Sequence, residues 1–289
     1  MGGASIERVQ PGDHACLVFT DSEERLDIVA AFVRDGLRDG QKVICLTEAI
    51  SQTALTEELA RRGLKIGEAA GNGQLYVGDS GRFFVPHGSF NAERTIGALR
   101  EQLASAGREG YQGLRITSDM CWATRPVDGL ADLPTYELQL TALLTAENAT
   151  AVCQYDRQCF DTVTMSTVLD AHCGTVAAIT YHDDAMLRIC RQHVPSGIRV
   201  AGEIDYRAVD ALTSALTESL NLDNHIDVNL TQLRFLDTIA AGVLIQAAAG
   251  LSPAQSMTVR CLQMPYKILA ALGLRDIPAV TLQAVEDDD

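Results

Sequence analysis

Hydrophobic positions along the chain alternate between two spacings. Short apolar runs at 15–20, 42–46, 75–77, 114–117 and 151–155 have the length and composition of buried strands. Between them, apolar residues recur three and four apart at 23–36, 53–62, 91–106, 136–147 and 160–172, which predicts helices. Leu26, Val29, Ala30, Val33 and Leu37 share one helical face, and Ile96, Leu99 and Leu103 share another, with Asn91 placed as a cap. Repeated strand–helix units of this kind predict a mainly parallel sheet with helices on both faces. A smaller series follows, with strands at 186–190, 198–201, 226–230 and 257–262 and helices at 207–220, 238–249 and 265–272. Pro265 suits a first helical position. Residues 174–185 join the two series and include the apolar Val176-Ala177-Ala178-Ile179, so the junction is not a floppy linker. The expected domains are 1–178 and 179–289.

Composition narrows the function class. A chain of 289 residues suits two domains, and 47% hydrophobic with 21% charged residues is ordinary for a globular protein. A net charge of −15 lacks the basic footprint of a nucleic-acid binder, so no nucleic-acid partner is expected. No apolar run reaches the roughly 18–20 residues of a membrane span. Residues 1–10 lack a signal-peptide pattern, so no membrane partner and a cytoplasmic location are expected. The eight cysteines contain no C-x-x-C pair. Cys45, Cys153 and Cys261 lie in apolar runs, as buried free thiols do. Asp183-Asp184 and Asp287-Asp288-Asp289 read as linker and solvated tail.

The joint Leu236-Asp237-Thr238-Ile239-Ala240-Ala241-Gly242 carries the strongest chemical signal. A strand there runs into a helix, and side-chain oxygens of Asp and Thr accept amides that a helix start leaves unpaired. The same amides and the helix dipole stabilise a phosphate. The Thr238 hydroxyl is therefore either a cap or a phosphorylation switch. Upstream, Gly202-Glu203-Ile204-Asp205 also ends a strand before a helix. This order of elements over about 186–285 resembles the STAS domain of anti-sigma factor antagonists. The resemblance implies that Thr238 is the residue a partner kinase phosphorylates. It also implies that Asp205, Asp237 and Gly242 belong to the partner-binding surface. Ile239 stands where a second hydroxyl is usual, Ala240 replaces a glycine, and Asn229 replaces an Asp.

The first series has the layout of a RecA-like ATPase core, but its first loop is Asp21-Ser22-Glu23-Glu24, without the glycines and lysine of a phosphate cradle. Carboxylates there would each repel a phosphate charge by roughly 3 kcal/mol at about 6 Å and an effective dielectric of about 20. No functional P-loop, no catalytic residue and no cofactor are expected. Pro11-Gly12-Asp13-His14-Ala15-Cys16, Leu114-Arg115-Ile116-Thr117 leading to Asp119-Met120-Cys121-Trp122, and Cys153-Gln154-Tyr155-Asp156-Arg157 together resemble the MEDS sensory domain over about 6–175. The resemblance implies a ligand-sensing relative of RecA-like ATPases.

His14 and Cys16, two apart on a strand, point to one side. They read as a pair of metal or haem ligands completed by Cys45, Cys121 or Asp119, as structural residues, or as contacts to a small organic ligand. Two ligands alone are too few for a metal site, and none is expected. Asp119, Trp122 and Tyr155 fall at the carboxyl ends of strands, where open α/β sheets bind ligands. Trp122 with Tyr155 either lines an apolar pocket there or covers the sheet. The function expected is a non-enzymatic regulator, with a sensory domain coupled to a STAS domain that binds an anti-sigma factor or serine/threonine kinase under phosphorylation control. The alternative is a small-molecule, metal or haem sensor whose STAS-like half serves dimerisation or scaffolding, with a homodimer as its form.

Overall fold

The structure, a computed structural model, describes residues 3–286, so the Asp287-Asp288-Asp289 tail lies outside the described residues. The chain divides into two compact units, 1–177 and 178–289.

The first unit contains β1 (His14–Phe19), α1 (Ser22–Arg38), β2 (Lys42–Thr47), α2 (Gln52–Arg61), α3 (Ile66–Gly71), β3 (Leu75–Asp79), α4 (Ser80–Phe84), α5 (Ala92–Arg108), β4 (Leu114–Asp119), α6 (Leu133–Ala146), β5 (Ala149–Asp156), α7 (Thr162–Ala171) and β6 (Gly174–Val176). Its sheet runs β3-β2-β4-β5-β1-β6 and every pairing is parallel, which is the mainly parallel α/β sheet expected. Alternation along each strand divides the core between two faces. Cys16, Ile44, Ile116, Ala151, Cys153 and Tyr155 pack with α5, α6 and α7 in one cluster. Arg115 points to the other face, where its guanidinium lies 4.9 Å over the Phe32 ring of α1. Helix starts follow the capping rule: Asp21, Asn91 and Asp161 each accept amides of the first turn. The short α3, α4 and β6 were not legible in the apolar spacing.

The second unit contains β7 (Thr180–Asp183), β8 (Leu187–His193), β9 (Ser196–Ile204), α8 (Val209–Leu222), β10 (His225–Leu236), α9 (Thr238–Ala249), β11 (Ser256–Cys261), α10 (Gln263–Ala271) and β12 (Val280–Ala284). Its sheet runs β12-β11-β10-β9-β8-β7, with β7–β8 and β8–β9 antiparallel and the rest parallel. The junction is structured. Residues 174–176 pair with β1 of the first unit, and 180–183 pair with β8 of the second. Asp183 and Asp184 are therefore not linker residues. Asp183 pairs with Arg188 at 2.6 Å, and Asp184 accepts the amides of Met186 and Leu187. The Met186 amide, then His182 and the Leu187 amide, hold the Asp184 carboxyl down at about 2. Pro265 sits at the third rather than the first position of α10, still within the turn whose amides lack intrahelical partners.

β10 is longer than the apolar run predicted, because pairing with β9 continues through two register shifts to Leu236↔Ile204. That extension sets Asp237 beside Ile204, whose carbonyl accepts the Asp237 amide at 3.2 Å. Gly202 makes the neighbouring bend possible. Its φ is +104°, and a Cβ there would lie 2.0 Å from the Met186 carbonyl oxygen.

Candidate functional site

Three groups of side chains define the chemistry of the first unit. On the α1 face, at the carboxyl edge of the sheet, Asp119 is fully buried and takes Arg25 Nη2 at 2.8 Å, the Ala49 amide at 2.9 Å and the Cys121 amide at 3.0 Å. Arg25 Nε donates to Gln154 Oε1 at 2.7 Å, and Gln154 donates on to Thr117. Burial alone would raise the Asp119 carboxyl, but Arg25 and the two amides outweigh it and hold the group below its ordinary value. Asp21 takes the Glu24 amide at the start of α1, and Glu23 pairs with Arg62 at 2.6 Å. Protein groups thus satisfy the polar positions of the edge where a P-loop fold binds phosphates.

On the opposite face, β1 presents His14 and Cys16, and β5 presents Ala151, Cys153 and Tyr155 beside them. The small Ala151 stands opposite His14 and leaves space for the imidazole. α6 lays Glu137 and Thr141, one turn apart, over these strands. α7 ends at His172, and pairing of β6 with β1 returns the chain to His14. His14, Glu137, Cys153 and His172 are all buried, and their ligating atoms lie within 4.8 Å of one another. His14 Nε2 is 3.3 Å from Glu137 Oε2 and 3.4 Å from Cys153 Sγ, and His172 Nε2 is 3.6 Å from the same carboxylate oxygen. Tyr155 donates to Glu137 Oε1 at 2.5 Å. Burial would raise the Glu137 carboxyl, but His14, then His172 and Tyr155 beside it, draw it below its usual value. Burial lowers His172, against the pull of Glu137, and drives the Cys153 thiol well upward. Cys16 sits nearby as a buried neutral thiol, raised by burial and by Glu137.

A cavity of about 470 Å³ opens between the end of β4, α6 and α7. Leu133, Glu137, Phe160, Thr164, Thr167 and Val168 line it, so one wall carries the carboxylate of the buried cluster. Trp122 and Tyr155 do not line it. Trp122 is fully buried in the core, stacked on Phe84 at 4.9 Å and 11°, and Tyr155 is spent on Glu137. Cys45, Cys121 and Asp119 are not in the His14 cluster.

In the second unit the candidate residues lie at the mouth of α9. Asp237 Oδ1 accepts the Ala240 amide at 2.7 Å and Oδ2 accepts the Tyr206 amide at 2.9 Å. One carboxylate therefore closes two neighbouring turns. Asp205 caps its own turn through the Arg207 amide and pairs with the Arg207 guanidinium at 2.8 Å. Thr238, the first residue of α9, is exposed, and capping is done by Asp237 instead. Gly242 is exposed one turn further on, with open space where a Cβ would stand. Tyr206, Phe235 and Ile239 expose 63%, 51% and 55% of their surface around this mouth. The buried Asn229 donates to Gln192 and accepts from Thr231 within the sheet.

The profile described as MEDS, the methanogen/methylotroph, DcmR sensory domain, matches residues 13–173, more than half of the chain. The chain belongs to the MEDS family. A STAS domain match at 190–287 follows. A sensory domain followed by a STAS domain makes this protein a signalling regulator. A KaiC-like protein from the hyperthermophilic archaeon Pyrococcus horikoshii OT3 is similar in structure, at 12% identity and a TM-score of 0.47, over 64% of this chain and 79% of that one. No curated protein sequence matches the chain. Among the described residues no helix is long and apolar enough to cross a membrane.

Within the MEDS domain, sequence reasoning placed His14 but missed Glu137, Cys153 and His172 as its chemical partners. A signal existed for Glu137. It occupies a position of the apolar stripe Leu133, Tyr136, Leu140, Leu144 in α6, where a lone carboxylate needs a partner.

Proposed function

We propose that the STAS domain docks an anti-sigma factor of the serine/threonine-kinase type and that phosphorylation of Thr238 releases it. The chain acts in this reading by binding, without catalytic turnover, and the MEDS domain senses a small molecule. The exposed Thr238 hydroxyl at the mouth of α9, ringed by exposed Tyr206, Phe235 and Ile239, supports it. The apolar side chains and the open face at Gly242 suit a protein surface packed closely against the helix. A phosphoryl group on Thr238 adds about 1.5–2 negative charges next to Asp237, whose carboxylate already occupies the Ala240 amide. The helix mouth would then hold more negative charge than its amides can offset, and a partner seated there would meet a charged, hydrated group.

The cavity beside Glu137 supports the sensory part. Its mainly apolar walls with a few polar groups suit a small organic molecule.

The test is capture from cells that make the protein, with phosphosite mapping. A kinase-type partner should be recovered with the wild type, phosphorylate Thr238 and be lost on Phe235→Ser/Ile239→Ser. A partner that is retained by that variant and phosphorylates only other sites contradicts the proposal.

A further inference from the structure

The two imidazoles of the buried cluster have their tautomers assigned by what their Nδ1 atoms face. His172 Nδ1 lies 2.7 Å from the Val168 carbonyl, which only accepts, so Nδ1 carries the proton. His14 Nδ1 lies 2.8 Å from Thr141 Oγ1, and that hydroxyl spends its proton on the Glu137 carbonyl at 3.1 Å. His14 Nδ1 is therefore also the donor. In each neutral ring the lone pair is left on Nε2, and both Nε2 atoms turn toward Glu137 and Cys153. His172 Nε2 is buried and has no hydrogen-bond partner. Orientation of a ring by an oxygen acceptor on its far nitrogen is how proteins prepare histidine for a metal.

Spacing agrees with a single small cation. Tetrahedral zinc, with bonds of about 2.0–2.3 Å, sets its ligand atoms about 3.3–3.8 Å apart. Four of the six separations here are 3.3, 3.4, 3.6 and 4.0 Å, and all six lie within 4.8 Å, so a small inward shift of the ligands suffices. Two neutral imidazoles, one thiolate and one carboxylate sum to two negative charges, which a divalent cation neutralises in a site closed to water. We propose that His14, Glu137, Cys153 and His172 form a four-ligand site for a zinc-class divalent cation. On binding, Cys153 gives up its proton and the cation replaces it at sulfur. Tyr155, bonded to the other oxygen of Glu137, and Thr141, bonded to His14, hold the ligands in place. Because Glu137 also lines the cavity, the site ties cation binding to the wall of the sensory pocket.

Cobalt(II) titration of chelator-treated full-length protein tests this, followed by zinc competition. The expected result is one cation per chain, absorption bands of tetrahedral cobalt with a sulfur charge-transfer band, and displacement by zinc. Cys153→Ser should abolish the sulfur band. Thr141→Val, which leaves all four ligands intact, should weaken affinity about 10–100-fold. Unchanged Trp122 emission checks folding of each variant, and His172→Gln replaces Cys153→Ser if the latter does not fold. No uptake by the wild type, or equal affinity in every folded variant, overturns the proposal. Neither outcome bears on the partner switch, which the capture experiment tests separately.

Discussion

Replacing Asp119 by Ala removes the group that ties together α1, the loop after β2 and the turn after β4. Asp119 is 0% exposed and Arg25 is 4% exposed, so the substitution leaves a buried guanidinium without its anion. Breaking such a pair from one side costs about 3–5 kcal/mol. The Ala49 and Cys121 amides also lose their acceptor, at about 1 kcal/mol or more each unless water replaces it. Partial relaxation sets the working figure at about 4 kcal/mol. Asp119→Asn keeps one acceptor oxygen and the shape, and should cost about 2 kcal/mol. Trp122 is the single tryptophan and packs on Phe84 inside the first unit, so its emission follows that unit alone. With a urea slope of about 2 kcal/mol per molar, the midpoint should fall by about 2 M for Ala and about 1 M for Asn. The effect also depends on pH. The folded carboxyl lies below its ordinary 3.8, so the unfolded chain binds that proton first as pH falls. The stability Asp119 contributes is complete above the unfolded value and disappears as pH drops through the lower folded one. The gap between wild type and Asp119→Asn should be flat from neutral pH to about 5 and close below about 4. A loss under about 1 kcal/mol for Asp119→Ala at pH 7, or a gap that widens in acid, refutes the reasoning.

Tyr155→Phe deletes the 2.5 Å bond to the buried Glu137 carboxylate and should lower stability of the first unit by about 1.5–3 kcal/mol, read from the same Trp122 unfolding curve. Gly202→Ala forces a Cβ toward the Met186 carbonyl at positive φ. It should destabilise the second unit by about 2 kcal/mol or more, seen as faster limited proteolysis at 178–286 with Trp122 emission unchanged. A small apolar molecule held at a hundred times its dissociation constant should stabilise the first unit by about 2.7 kcal/mol. Thr167→Phe, which fills the cavity beside Glu137, should remove that thermal shift.

The architecture was largely legible because strand and helix periods differ and each apolar run here feeds one sheet. Asn91 read correctly as a cap, since an Asn before an amphipathic stretch has a local role. The shorter pieces were not legible. β6, at 174–176, is a strand only because β1 offers a free edge, and the end of β10 continues past its apolar run only because β9 lies alongside. The Asp237–Thr238 joint was visible for the same local reason as Asn91, whereas the second bond of Asp237, to the Tyr206 amide, depends on a contact between residues 31 apart. His14 stood out in sequence, but Glu137, Cys153 and His172 reach it from three other elements, and no spacing along the chain announces that meeting. Trp122 was placed at the right strand end. What decided its position was stacking on Phe84, a residue 38 positions earlier whose helix was itself too short to show in the pattern.

A binding titration of the captured kinase-type partner against two full-length variants tests the proposed role of the STAS helix mouth directly. Thr238→Ala should bind as the wild type does, because Asp237 and not Thr238 caps α9. Thr238→Asp should lose affinity at least about tenfold, since a carboxylate there adds like charge beside Asp237 and puts a hydrated group under the partner. Equal affinity of the two variants would contradict the claim that charge at this position controls docking.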